Sequence, residues 1–203
     1  MFVKICGITR AADAAVAVMH GASAIGFIFW AKSRRYVDPD QARAIVRTLP
    51  PFVTPVGVFV NESADAINAV AAQVGLGAVQ LHGDETPELL AALVSPVVKA
   101  VGRIDADTAR RWPSRVRLLV DADERVHRGG TGIKADWAAA AVLARQRPIV
   151  LAGGITPENV GDAVLTVQPF GIDVSSGVED APGIKNPEKL RALFEALRGV
   201  VRS

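Results

Sequence analysis

The sequence predicts an α/β fold, a single (β/α)8 TIM barrel over residues 1–203 with eight parallel strands inside a ring of helices. Three observations predict it. Apolar runs rich in Val and Ile alternate eight times with alanine-rich segments of helical period. Several of the helical segments open on a capping residue followed by proline. The last two apolar runs end in glycines and hydroxyls, PIVLAGGITP and GIDVSSGVED. Alternation at this spacing requires parallel pairing with right-handed crossovers. An open doubly wound sheet is the rival arrangement, and CGITR after the first run lacks the G-x-G-x-x-G fingerprint such a sheet would carry.

Taken in order, the strands are expected at 3–8 (VKICGI), 24–29 (AIGFIF), 54–60 (TPVGVFV), 78–83 (AVQLHG), 96–102 (PVVKAVG), 117–122 (RLLVDA), 148–155 (PIVLAGGI) and 171–178 (GIDVSSGV). The intervening helices are expected near Arg10–His20, Pro39–Leu49, Ser63–Val74, Thr86–Val94, Asp105–Trp112, Lys134–Ala144 and Pro157–Val167, with a last one near Pro187–Leu197. Asp38, Thr86, Thr156 and Asn186 each precede a proline, which pairs an N-cap type with the residue best suited to the first helical position.

Half of the 203 residues are apolar, enough for a substantial core, yet no apolar run approaches the roughly 20 residues of a membrane span. The opening MFVKICGI reads as a strand rather than a leader, and one cysteine cannot form an internal disulfide, so a cytoplasmic setting is expected. A net charge of +2 and a pI near 8.9 fit an anionic ligand. The positive charges are scattered rather than striped, which argues against nucleic acid.

Polar residues two apart in a strand face the same way. Lys4 with Cys6, Gln80 with His82, and Asp173 with Ser175 form such pairs; Asp121 follows Leu119, and Lys99 stands among valines. These are expected to point into the barrel, with Cys6, His82, Asp121 and Ser175 near the C-terminal rim where barrel enzymes place their chemistry. Each also has an ordinary reading. Cys6 taken alone is a small core residue, His82 a structural histidine, Asp121 a loop cap, and Arg34 with Arg35 a solvated loop. The glycine junctions are less ambiguous. Gly153, Gly154, Ser175, Ser176 and Gly177 follow the seventh and eighth strands, where barrels bind phosphate on backbone N–H groups. Three histidines and one cysteine show no metal-ligand spacing, so no metal is expected.

KICGITR, GFIFWAKSRRYV, VGVFVN, VQLHGDE, LLVDA, GGTG, LAGGITPENV and GIDVSSGVEDAPGIKNPEKL, in this order over nearly the whole chain, resemble the phosphoribosylanthranilate isomerases of tryptophan biosynthesis. The resemblance implies a barrel that performs an Amadori rearrangement on a small phosphoribosyl substrate without cofactor, as a monomer or homodimer. It implies Cys6 as general base and Asp121 as general acid. Arg35 would face the anthranilate end, His82 and Asp173 would lie beside the substrate, and Gly153, Gly154, Ser175, Ser176 and Gly177 would hold the phosphate. Arg34 stands where the family has proline, and Ala135 where it often has an aromatic residue. Two alternatives remain: a related isomerase of histidine biosynthesis, which would carry an aspartate in place of Cys6, and a non-catalytic phosphate-binding barrel, which would lose the acid–base pair.

Overall fold

Each of the eight apolar runs hides one set of side chains against helices and the other against the barrel axis. The structure is a computed structural model that describes residues 1–102, 104, 107–121 and 137–201. Strands β1 (Phe2–Cys6), β2 (Ala24–Ile28), β3 (Thr54–Phe59), β4 (Ala78–Leu81), β5 (Val97–Val101), β6 (Arg117–Asp121), β7 (Ile149–Ala152) and β8 (Gly171–Val174) pair in chain order and close into a barrel. The closing pair is β1 with β8, parallel, with Lys4 in register with Asp173. Outward-facing Ile5, Phe27, Leu81, Leu118, Leu151 and Ile172 are fully buried beneath the helices. Burial of such side chains contributes about 1.5–3 kcal/mol apiece, which makes this outer layer the main source of cohesion. The inward face carries a small apolar cluster of Ala100, Leu119, Val150 and Ala152, and the buried polar residues Lys4, Gln80 and Asp173.

The helices are α1 (Ala11–His20), α2 (Pro39–Val46), α3 (Ala64–Val74), α4 (Thr108–Arg111), α5 (Trp137–Gln146), α6 (Val160–Val167) and α7 (Pro187–Val201). Two of the four anticipated caps form: Asp38 Oδ1 accepts from the Asp40 amide at 2.9 Å and Asn186 Oδ1 from the Lys189 amide at 2.8 Å. The other two do not. Thr86 makes no side-chain cap, and the segment after it is only a 3-10 helix, Pro87–Ala91. Asn68 of α3 explains the early stop, since its amide donates to the Ala92 carbonyl and accepts from the Val94 amide. At α6 the Thr156 amide is taken by Asn159 Oδ1, whose own amide donates to the Gly154 carbonyl. That closed turn delays the helix to Val160.

Of the helix expected over residues 105–112, a single turn lies among the described residues. Trp112 is extended because it precedes Pro113. The start of the helix expected at Lys134, together with GGTG (129–132) and Ala135, lies outside the described residues. No helix among the described residues is long and apolar enough to cross a membrane.

Lys99 corrects the expectation that the strand polars all face inward. It shares the helix side of the sheet with its register partners Leu81 and Leu118, where Nζ bonds Glu85 at 2.7 Å and lies 5.7 Å from the ring centroid of Trp112. A charged residue is tolerated there because the loop after the neighbouring strand β4 supplies the carboxylate.

A two-stranded hairpin after β8 was not legible in the sequence. Strands β9 (Glu179–Ala181) and β10 (Ile184–Lys185) fold back over the loops that follow β1 and β2. Thr9 Oγ1 donates to the Gly183 carbonyl at 2.6 Å, and the Lys185 amide donates to Asp13 Oδ2 at 3.0 Å. Beneath the hairpin, Glu179 receives Lys185 Nζ at 2.7 Å and Arg35 Nη2 at 2.7 Å. Burial pushes the Glu179 carboxyl up, but the bonds from Arg35 and Lys185 outweigh it and hold the group below its ordinary value.

Lys185→Ala should therefore destabilise the fold by about 3 kcal/mol or more, because it leaves a buried carboxylate with one of its two cationic partners. The network's contribution is complete above the ordinary carboxylate pKa and is lost as pH falls through the depressed folded value. Urea titrations of the parent and Lys185→Ala at neutral and acidic pH should show the gap between them narrowing on acidification.

Candidate active site

The C-terminal ends of the strands open on a cavity of about 230 Å³. Cys6 closes β1 and Asp121 closes β6, while His82 follows β4 directly. All three line the cavity, together with Arg35, Asp173, Gly153, Gly154, Ser175 and Ser176. Ile28, Val58, Leu119 and Ile155 add apolar wall. Residues from the beginning, middle and end of the chain thus meet where the barrel's open rim places them. Gly177 is the one anticipated site residue absent from the lining. A Cβ on it would overlap the Ile155 carbonyl oxygen, so its part is to let the loops after β7 and β8 touch.

Lys4 organises the floor. Its ammonium lies 3.0 and 2.9 Å from the two Asp173 oxygens and also reaches the Cys6 sulfur. Burial pulls Lys4 down, but Asp173 and Cys6 more than offset it, and the side chain stays a cation. The same burial pushes the Cys6 thiol up; Lys4 draws it back and Asp173 opposes Lys4. The net direction is upward, although Lys4 by itself favours the thiolate. Asp173 spends much of the lysine's charge. Gly26 on the neighbouring strand makes room for the pair, since a Cβ there would lie 2.8 Å from Cys6 Sγ and 3.0 Å from Lys4 Cε.

His82 sits between two polar neighbours. Gln80 Nε2 lies 2.9 Å from its Nδ1, and its Nε2 lies 3.8 Å from Asp121 Oδ2. Burial lowers its pKa, and Lys4 lowers it further, so the ring is neutral at physiological pH. It can therefore offer Asp121 an N–H without adding a second cation to the site.

Arg35 is held by Glu179 through Nε at 3.0 Å to both carboxylate oxygens and through Nη2 at 2.7 Å. About a quarter of its side chain is exposed, on the cavity side of the loop. The loop carrying it is closed by Tyr36 and Val37 amides donating to Ser33 and Ile28 carbonyls. Glu179 and Lys185, which fix this arginine, escaped the sequence reading. Both belong to a segment whose only visible signal was its run of charges around a Pro-Gly turn.

The cavity combines a sulfur and a carboxyl for proton transfer, a guanidinium for an anion, an apolar wall for a flat group, and a rim of glycine and serine backbone. Among the described residues, no group of three or more His, Cys, Asp or Glu side chains is placed to hold a metal ion.

Residues 3–196 match the family model described as N-(5'phosphoribosyl)anthranilate (PRA) isomerase. The chain is 46% identical over 200 residues to the N-(5'-phosphoribosyl)anthranilate isomerase of Syntrophus aciditrophicus, covering 97% of this chain and 86% of that one. Its backbone superposes on phosphoribosyl anthranilate isomerase from Thermotoga maritima with a TM-score of 0.90 at 42% identity, over 98% of this chain and 99% of the other. It is also similar, at TM-score 0.87 and 40% identity over 98% and 99% of the two chains, to a phosphoribosyl anthranilate isomerase solved with reduced 1-(o-carboxyphenylamino)-1-deoxyribulose 5-phosphate. Sequence and backbone agree along nearly the whole length, and the chain belongs to the phosphoribosylanthranilate isomerase family.

Proposed function

We propose that the protein catalyses the Amadori rearrangement of N-(5'-phosphoribosyl)anthranilate to 1-(o-carboxyphenylamino)-1-deoxyribulose 5-phosphate in tryptophan biosynthesis, with Cys6 as general base and Asp121 as general acid. The observation that carries this reading is that two strands remote in sequence bring that sulfur and that carboxyl into one cavity. Asp121 gives its proton to the ribose ring oxygen as the C1'–O bond breaks, leaving a protonated Schiff base. Cys6 then removes the proton from C2', and the electron pair flows into the C1'–C2' bond to give an enolamine. Tautomerisation to the ketone returns a proton to C1', so the reaction consumes and releases none overall. The resting thiol first passes its proton to the carboxylate that Asp121 has become, a transfer the cationic Schiff base favours, so the sulfur takes the C2' proton as a thiolate and Asp121 is restored as the acid.

Binding follows the same map. Gly153, Gly154, Ser175, Ser176 and Gly177 receive the phosphate, where small residues allow a ligand close to the backbone. Arg35 faces the anthranilate carboxylate with the donors Glu179 leaves available, and Asp173 and His82 border the ribose. A base that works only as a reduced thiol suits a reducing cytoplasm.

Cys6→Ser and Asp121→Asn should each lower kcat by roughly 10²-fold to 10⁴-fold with little change in KM, because proton transfer is felt in the transition state. Turnover is read from the fluorescence loss of freshly made substrate. A folded Cys6→Ala protein with near-normal kcat would sink the base assignment.

Inorganic phosphate should compete with substrate, and Gly154→Ala should raise KM more than it lowers kcat. Non-competitive inhibition by phosphate would move the phosphate site elsewhere.

Alkylation of Cys6 by iodoacetamide should show a pH midpoint above the ordinary thiol value, since burial disfavours the thiolate. Lys4→Met, which removes the cation that favours the thiolate, should move that midpoint higher still. Mass spectrometry of the modified peptide reads the rate.

A further inference from the structure

Gln80 is a buried amide that the proposed reaction leaves without a role. It lies on the inner face of β4, 1% exposed, with Val58 and Val98 as its register partners on either side. An apolar side chain would pack between two valines at no polar cost. Instead the amide is kept although its Oε1 has no hydrogen-bond partner among the described residues. The residue also lines the cavity beside His82. The satisfied half is the contact from Nε2 to His82 Nδ1, at 2.9 Å.

That contact selects one form of the ring. An amide N–H facing Nδ1 requires a lone pair there, so a neutral imidazole must carry its proton on Nε2. The opposite tautomer would set two N–H groups against each other at Gln80 and turn an Nε2 lone pair towards Asp121 Oδ2, 3.8 Å away. Both ends favour the same proton position. The charged groups acting on the ring are Lys4 on β1, Asp173 on β8, Lys99 on β5, and Glu85 in the loop after β4, with Asp121 on β6 facing Nε2. Lys4 and Lys99 disfavour a cationic ring, and Asp173 and Glu85 favour one.

We propose that Gln80 is a positioning residue that holds His82 as its Nε2–H tautomer, so that the ring presents a donor to Oδ2 of Asp121. The consequence for chemistry rests on the reading of Asp121 as the general acid. A donor at Oδ2 leaves Oδ1 to carry the proton that is transferred, and it stabilises the carboxylate formed when that proton departs. The 3.8 Å separation is long for a hydrogen bond, and such contacts commonly tighten when substrate closes the site.

The test reads the tautomer directly, by two-bond 1H–15N correlation spectra of protein labelled on its histidines, with His82→Gln used to assign the ring. The parent should show His82 protonated on Nε2 alone. Gln80→Glu, which swaps the donor for an acceptor of equal size, should bring a proton to Nδ1, and Gln80→Met should give a mixture of tautomers. Both should lower kcat about tenfold or more with little change in KM, the expected loss for one donor to a charged group. In a His82→Gln background, whose side-chain amide donates without help from Gln80, the same Gln80 changes should have little further effect on kcat.

A parent spectrum with the proton on Nδ1, or a Gln80→Met protein whose ring remains purely Nε2–H, overturns the proposal. If Gln80→Glu does not fold, the parent and Gln80→Met spectra still decide it. The spectra need no turnover, so a protein inactive on phosphoribosylanthranilate would count against the proposed function while leaving the tautomer measurement intact.

Discussion

Two opposite charges withdrawn from water sit at the seam where the barrel closes. Lys4 of the first strand and Asp173 of the last are 3% and 8% exposed and are bonded through both carboxylate oxygens. Neither could be buried alone, because removing one partner of such a pair leaves an uncompensated charge in a low-dielectric interior. The register of β1 on β8 is thus tied to an electrostatic requirement as well as to backbone bonding. The same pair sets the environment of Cys6, since the ammonium that would favour a thiolate is already engaged by a carboxylate. Fold closure and the state of the sulfur are decided by one contact.

The two faces of the sheet divide the work. Outside, aliphatic side chains and alanine-rich helices make a layer whose cohesion comes from apolar area. Inside, the buried polar groups cluster on β1, β4 and β8, while β5, β6 and β7 contribute Ala100, Leu119, Val150 and Ala152. Of these four, Leu119 and Ala152 reach the cavity, whose apolar wall is completed by Ile28, Val58 and Ile155. The charge on Lys99 stays away from the cavity because it lies on the outer face, paired with Glu85.

The hairpin after β8 serves the site without lining it. Its Glu179 grips Arg35 from behind with three contacts, and Lys185, fully buried, completes the carboxylate's neutralisation. An arginine tethered in this way meets an anion with less freedom left to lose, which is the general advantage of a preorganised contact. The loop after β2 carries Arg35, yet its place is fixed by a segment more than a hundred residues further along the chain.

The sequence by itself determined the barrel and much of the rim. Eight Val- and Ile-rich runs at regular spacing leave parallel pairing as the arrangement that satisfies them, and period-two alternation puts Cys6 on the face of Lys4 and Ser175 on the face of Asp173. These are properties of neighbouring residues, so they can be read locally. Caps at Asp38 and Asn186 were legible for the same reason. What the tertiary structure alone decided are the effects of residues distant in the chain. The helical segment after Thr86 ends early because Asn68 takes the backbone groups of Ala92 and Val94. Lys99 turned outward because the strand alternation places it with Leu81 and Leu118, a phase the charge itself does not reveal. The close approach of Gly177 to the Ile155 carbonyl, and the mount that Glu179 and Lys185 make for Arg35, also come from residues distant in the chain. The raised Cys6 thiol is the clearest case. Lys4, two residues away, favours the thiolate, and only the closed barrel supplies the burial and the Asp173 carboxylate that outweigh it.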